Sequence, residues 1–323
     1  MNYIALLLAA SMHTMTAAAQ NMPADTTVAQ TSHGDVLFID PIFEYPVAPD
    51  EIPDLNGKTN YLMEHFWDKM DFKSREAVDQ TALNHAFATY MSSAPYADED
   101  KVIASVEKLT KKIKGNEMLT IQFAKAAEET IYGPRAEMWI DRLYIPFLEV
   151  YLKDKKIPDS RKIRYKEQLR ILKSTATGEK APDMKIELRD GSRINFSPSR
   201  EFTLIEFGDP DCADCRYARM KIDMSSVISD LLASGRLEVM FIIADEDEDG
   251  GLMKMTAEYP RKWTVGKSGD AIENYDLRAT PAFYVLGPGG KIIAKNVSVD
   301  TAIEILREAS STNIESGKQK NKP

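Results

Sequence analysis

From Asn56 to Lys173 the apolar residues recur at intervals of three and four, the period that turns one face of an α-helix toward a core. Tyr61, Leu62, His65, Phe66 and Met70 share one such face, followed by Val78, Ala82, Ala86 and Tyr90. Further faces are Val102, Val106, Leu109 and Ile113, then Leu119, Phe123, Ala126 and Ile131, then Ile140, Leu143, Phe147 and Tyr151. Gly115 and Gly133 fall where helices end, and Pro134 and Pro158 where a helix can begin without losing a needed donor. The pattern predicts an all-α domain over residues 54–173, with five or six helices and no strand. No 34- or 40-residue self-similarity accompanies it, so a solenoid is not favoured.

After Ser174 the period shortens. Strand-like runs are predicted at Met184 to Leu188, Arg193 to Phe196, Thr203 to Phe207, Leu237 to Ile243, Ala282 to Leu286 and Lys291 to Lys295. Turns at Asp190-Gly191 and Gly287-Pro288-Gly289-Gly290 join pairs of them. Helices are expected from about Ala213 to Ala233 and from Val299 to Ala309. Strands alternating with helices, then a hairpin and a closing helix, describe a mixed sheet flanked by helices, an α/β domain over residues 174–310. Residues 311–323 are polar and expected to be disordered.

Upstream of the helical region, an apolar stretch from Tyr3 to Met12 precedes Ala17-Ala18-Ala19. This reads as a signal peptide over residues 1–19, cleaved near Ala19-Gln20, although no Lys or Arg precedes the apolar run. Residues 20–53 form a flexible to extended lead-in, Pro-punctuated from Val36 to Pro53. No later apolar run approaches the ~18 residues a membrane span needs, so the expected location is periplasmic or secreted in a bacterial envelope.

Composition narrows the function classes. The 323 residues are 43% hydrophobic and 28% charged, an ordinary globular balance, with a formal charge of -9. An acidic excess argues against nucleic acid as a partner, because that role needs clustered basic charge. The acidic run Asp245 to Asp249 lacks the glycine and glutamate placement of a calcium loop and reads as solvated. His65 and His85 lie on helix faces beside Phe66 and Phe87 and read as packing or surface residues, and Trp67 and Trp139 as helical core.

Cys212 and Cys215 are the two cysteines of the chain, too few for a disulfide framework or an all-cysteine zinc site. The Cys-Ala-Asp-Cys run lies between the strand ending at Phe207 and the helix that follows. A redox pair, a static disulfide and half of a metal site all have this spacing, but His33, His65 and His85 are over a hundred residues away, in another domain. A first cysteine at a helix start has its thiolate favoured by the helix dipole, and a second one turn deeper is placed to resolve a mixed disulfide.

Residues 175 to 310 resemble the thioredoxin superfamily, and more closely the TlpA-like envelope thiol-disulfide oxidoreductases. The resemblance rests on Gly178-Glu179-Lys180-Ala181-Pro182-Asp183 before the first strand, the strand leading to Cys-x-x-Cys, Ala279-Thr280-Pro281 before a later strand, and Gly289-Gly290-Lys291 in a hairpin. It implies a thioredoxin-like fold behind the helical domain and disulfide exchange with substrate proteins through Cys212 and Cys215. No diffusible cofactor and no metal are implied, but an unidentified redox partner must restore the pair. Pro281 matches the family's cis proline, with Thr280 offering backbone groups to an extended peptide. Glu206 matches the buried acid six residues before the first cysteine. Trp263 falls in a stretch that the family places near the active-site face, where a substrate contact is the lesser of two readings beside packing. Peroxidase chemistry fits poorly, since Asp209 stands where the peroxidatic pattern has threonine.

Two departures bear on direction. Asp211 replaces the usual aromatic before the first cysteine, and no proline lies between the cysteines. Asp209, Asp211 and Asp214 crowd the pair, partly offset by Arg216 and Arg219, and nearby negative charge disfavours a thiolate. The expectation is a pair that leans reducing. The competing class is a non-catalytic binding module that uses both domains as an interaction scaffold.

Overall fold

The computed structural model describes residues 28–30, 36–244 and 256–320, with side chains described for 39–244 and 256–311. The predicted signal segment and the acidic run Asp245 to Asp249 lie outside the described residues. The chain divides into two compact units between Leu169 and Arg170.

The first unit opens with an antiparallel pair, β1 (Val28–Gln30) and β2 (Val36–Phe38), inside the stretch expected to be flexible. Six helices follow: α1 (Leu55–His65), α2 (Gln80–Ser92), α3 (Glu99–Ile113), α4 (Glu117–Ile131), α5 (Asp141–Lys153) and α6 (Asp159–Ser174), which carries the boundary. Their starts are fixed by local chemistry. Side chains of Asp54, Asp79 and Asn116 accept hydrogen bonds from Gly57, Ala82 and Leu119 backbone amides at 2.7, 2.8 and 3.3 Å, satisfying donors that the first helical turn leaves open. Gly115, at φ 88°, follows the end of α3, where a side chain would be strained.

The core of this unit is aromatic. Trp67 packs on Phe123 at 5.1 Å between ring centroids, Phe87 on Phe147 at 5.4 Å, and Phe43 of the lead-in on Phe66 at 5.7 Å. Trp139 is not helical core. It stands half-buried in the loop before α5, its Nε1 donating to Gly133 O at 2.9 Å. Pro134 begins no helix and lies in a turn of that same connection. His65 is partly exposed with Asp68 at 2.9 Å, and His85 is half-buried, its pKa lowered by burial.

The second unit is built on a seven-stranded sheet of order β4-β3-β7-β6-β5-β8-β9. Its strands are β3 (Lys185–Leu188), β4 (Arg193–Asn195), β5 (Phe202–Phe207), β6 (Leu237–Ile243), β7 (Thr264–Lys267), β8 (Ala282–Leu286) and β9 (Ile292–Lys295). β5 and β6 are parallel, as are β6 and β7, while the remaining pairings are antiparallel. All six residues of β5 are buried. Leu204 belongs to the core cluster on one face and Ile205 to that on the other, which explains why apolar residues occupy both odd and even positions of β5.

Three sequence expectations change here. β7 is a seventh strand that the pattern did not reveal. The helix expected from Ala213 to Ala233 is two, α7 (Ala213–Met224) and α8 (Ser226–Ala233). Ser225 leaves the helical region at ψ 121° and its Oγ accepts from Ile228 N at 3.4 Å, capping the second helix. After a short helix, α9 (Asp270–Asn274), the closing helix α10 runs over Val299–Lys320, through most of the tail expected to be disordered. Among the described residues no helix is long and apolar enough to cross a membrane.

Candidate active site

The site is assembled where β5 ends and α7 begins. Gly208 continues the parallel ladder by donating to Ile242 O at 3.1 Å. A Cβ there would stand 3.0 Å from Cys215 Sγ and 2.8 Å from the Phe241 ring, so the close approach of this turn to the sulfur requires glycine. Asp209 then closes the turn, its Oδ1 accepting from Asp211 N at 2.8 Å and its carbonyl from Cys212 N at 3.1 Å.

Cys212 is the N-cap of α7, its Sγ accepting from Cys215 N at 3.3 Å. Free backbone donors and the positive end of the helix dipole thus face this sulfur. Cys212 is partly exposed, whereas Cys215, one turn deeper, is completely buried, and the two sulfurs are not bonded to each other. Burial pushes the Cys215 thiol up to about 12. The neighbouring Cys212 sulfur and Glu206 add to this, while the Asp209 backbone amide opposes it. Arg216 does not pair with the nearby carboxylates, since its Nη1 donates to the Asp211 carbonyl at 2.9 Å.

Glu206, expected as a buried acid, lies wholly inside the unit at 0% exposure. Alternation along β5 turns it with Leu204 toward the face that carries Phe241, Tyr259 and the α7 residues Ala218 and Ile222. Neither carboxyl oxygen has a hydrogen-bond partner among the described residues. Burial raises its pKa to about 8, with Arg219 the charge that pulls it back. The carboxyl is therefore mostly protonated at neutral pH, within reach of both ionisation states.

The Thr280–Pro281 peptide bond is cis. Phe207 faces Ala282 in the β5–β8 ladder, so Pro281 enters at the level of Gly208, on the edge from which the cysteine turn departs. Thr280 is exposed. Behind this loop lies a charged cluster that sequence reading did not single out. Asp276 is paired with Arg278 and, at 3.0 Å, with Lys295 Nζ, all three side chains being at most 7% exposed. Lys295 also donates to Thr175 Oγ1 at 2.9 Å. Burial alone would raise the Asp276 carboxyl, but the two cations hold it below the usual carboxylate value. No spacing rule connects residues 175, 276, 278 and 295, so no sequence signal marked them. Trp263 is a core residue, 4% exposed and packed on Tyr259 at 6.2 Å.

Among the described residues no group of three or more His, Cys, Asp and Glu side chains is placed to hold a metal ion.

A mixed sheet with a cis proline opposite a Cys-x-x-Cys helix start defines a thioredoxin-like unit behind a helical one. In keeping with this, the chain is similar to the crystal structure of a thioredoxin-like protein from Bacteroides caccae, with a TM-score of 0.71 at 21% identity over 83% of this chain and 99% of that one. Weaker likenesses include a conserved protein of unknown function from Bacteroides fragilis (TM-score 0.38, 29% identity, 41% of this chain and 98% of that one). Another is the thioredoxin domain of a thiol-disulfide oxidoreductase from Bacteroides vulgatus (TM-score 0.36, 20% identity, 41% and 96%). The chain belongs to the family described as Domain of unknown function (DUF5106), whose model matches residues 10–175. No curated protein matches it.

Proposed function

We propose that the protein is a thiol-disulfide oxidoreductase that reduces disulfides in partner proteins. The observation that carries this reading is the graded pair itself: a partly exposed sulfur capping α7, and a buried thiol one turn deeper on the side of an unpaired carboxyl. In the proposed reaction the Cys212 thiolate attacks one sulfur of a substrate disulfide. A Cys212–substrate disulfide forms and the first substrate thiolate leaves. Cys215 then attacks Cys212 Sγ, giving its proton to Glu206, and the second substrate thiolate departs protonated by solvent. Two electrons pass from the dithiol to the substrate, and a dithiol reductant restores the pair.

Thr280 and Pro281 would form the peptide-binding edge beside the pair. A reducing direction is part of the proposal and rests on Asp209, Asp211 and Asp214 beside the pair, since nearby negative charge disfavours the thiolate form of a dithiol. Export to the bacterial envelope is part of the proposal and rests on the sequence of residues 1–19.

The test is reduction of insulin by dithiothreitol, followed as turbidity, with wild type, Cys212→Ser and Cys215→Ser. Wild type should accelerate the reaction and Cys212→Ser should not, while Cys215→Ser should accumulate a mixed disulfide that traps the substrate. A wild-type protein that accelerates nothing would leave the scaffold reading in its place.

A further inference from the structure

Outside α7 runs a groove of about 420 Å³ whose walls include Tyr217, Met220, Glu258 and Pro260. Its inner side is closed by Arg219, one helical turn beyond Cys215. The guanidinium is held twice: Nη2 donates to Glu258 at 2.9 Å, and the group lies 4.9 Å from the centre of the Tyr259 ring. Tyr259 in turn packs on Phe241 at 4.3 Å, and Phe241 is the residue opposite Glu206 in the β5–β6 ladder. A layer of two aromatic rings thus links the clamped cation to the buried carboxyl, and apolar material of that kind screens charge poorly.

We propose that Arg219 is a positioning residue for proton transfer at Cys215: the clamp of Glu258 and Tyr259 holds its charge against the aromatic layer that separates it from Glu206, so that Glu206 can accept the thiol proton. This deepens the exchange reading and rests on it. In the step concerned the S–H bond of Cys215 breaks, an O–H bond forms on Glu206, and the Cys212–Cys215 disulfide forms as the substrate thiolate leaves. No reactant beyond the substrate disulfide is needed.

The charged and titratable groups around Glu206, Cys215 and Tyr259 on the packed elements support the assignment. α7 presents Cys215 and Arg219, and the turn before it Asp209 and Cys212. The segment ahead of β7 presents Tyr259, with Glu258 outside it. β6 and β8 present Phe241 and Phe283, which carry no charge. Arg219 is therefore the cation of this set, and its pull on Glu206 is the one that favours ionisation. Arginine suits the place because its planar group can stack on a ring while its edge binds a carboxylate.

The experiment is a carbon-13 NMR titration of the Glu206 carboxyl in the oxidised full-length protein, where neither sulfur titrates, with the signal assigned by its loss in Glu206→Gln. Removing an opposite charge should raise the midpoint, by about one pH unit in Arg219→Met. Arg219→Lys should restore most of the difference, and Arg219→Gln, which removes the charge but keeps a polar side chain, should move the midpoint in the same direction as Arg219→Met. The pH profile of disulfide exchange should shift with the titration. Equal midpoints in wild type and folded Arg219→Met overturn the proposal; if that variant does not fold, an unmoved midpoint in Arg219→Gln does so. The titration decides the matter whether or not the protein reduces insulin, so failure of the exchange reading and failure of this one are told apart.

Discussion

Glu206 should cost the fold stability at neutral pH, and replacing it should release that cost while harming exchange. The carboxyl moves from 4.5 in the unfolded chain to about 8 in the folded one. Below 4.5 both states hold the proton and nothing is lost. As pH rises between the two values, the folded protein keeps a proton that the unfolded chain has released, so stability falls by about 1.4 kcal/mol per pH unit and levels off above about 8. By about pH 7.5 the accumulated loss is on the order of 4 kcal/mol. Glu206→Gln removes the slope, and its own unpaired amide subtracts roughly 1–3 kcal/mol at every pH. The variant should therefore be more stable than wild type by about 1–3 kcal/mol near pH 7.5, with an advantage that grows by ~3 kcal/mol from pH 5 to 7.5. Because the two units can unfold separately, the reading should come from NMR signals of the β5 amides along a urea series at both pH values. Insulin reduction should fall by about 10²-fold, the range expected for loss of a general base. A stability difference that is the same at pH 5 and pH 7.5 would refute the buried, proton-holding state of Glu206.

Two further outcomes follow from the packing around the pair. Gly208→Ala places a methyl group 2.8 Å from the Phe241 ring and 3.0 Å from Cys215 Sγ, and should lower the urea midpoint by about 1–3 kcal/mol of stability and shift the potential of the pair, measured against glutathione. An unchanged midpoint would mean that the turn can move away from the sulfur freely. Asp276→Asn leaves Arg278 and Lys295 buried without their shared carboxylate, and should cost about 3–5 kcal/mol, read as a fall in the melting temperature. A loss below about 1 kcal/mol would show that the cluster does not hold the loop leading to Pro281.

Much of this architecture was legible because it is written in local periodicity. The three-four spacing of Val102, Val106, Leu109 and Ile113 gives α3 directly, and all four are buried. β7 escaped notice because Thr264–Lys267 is four residues long and contains Gly266, where a Cβ would meet Ile186 at 2.5 Å and the Glu187 carbonyl at 2.6 Å. That glycine is dictated by a strand nearly eighty residues earlier, which no local window contains. The break at Ser225 was hidden because no Gly or Pro falls between Ala213 and Ala233, so the run reads as one helix although a capping serine separates two. The helical tail carried the opposite error, since the polar composition after Ser310 lacks the apolar face by which helices were recognised.

The candidate site divides along the same line. Cys212, Cys215 and Glu206 lie within ten residues of one strand-to-helix junction, and a carboxylate inside an otherwise apolar strand is conspicuous wherever it occurs. What acts on them is distant in the chain. Arg219 meets Glu258 and Tyr259 across about forty residues, and Lys295 joins Asp276 across 19 and Thr175 across 120. These pairings exist only once the sheet has brought β6 and β8 beside β5 and β9 beside β8. The sequence motif therefore identifies which atoms would exchange electrons, while the groups that set the ionisation of Glu206 and hold the loop before Pro281 are supplied by the fold. Substitutions at Arg219 or Asp276 should accordingly alter the proposed chemistry while leaving the motif intact, and a Cys-x-x-Cys pair read without these partners says little about the pH at which it works.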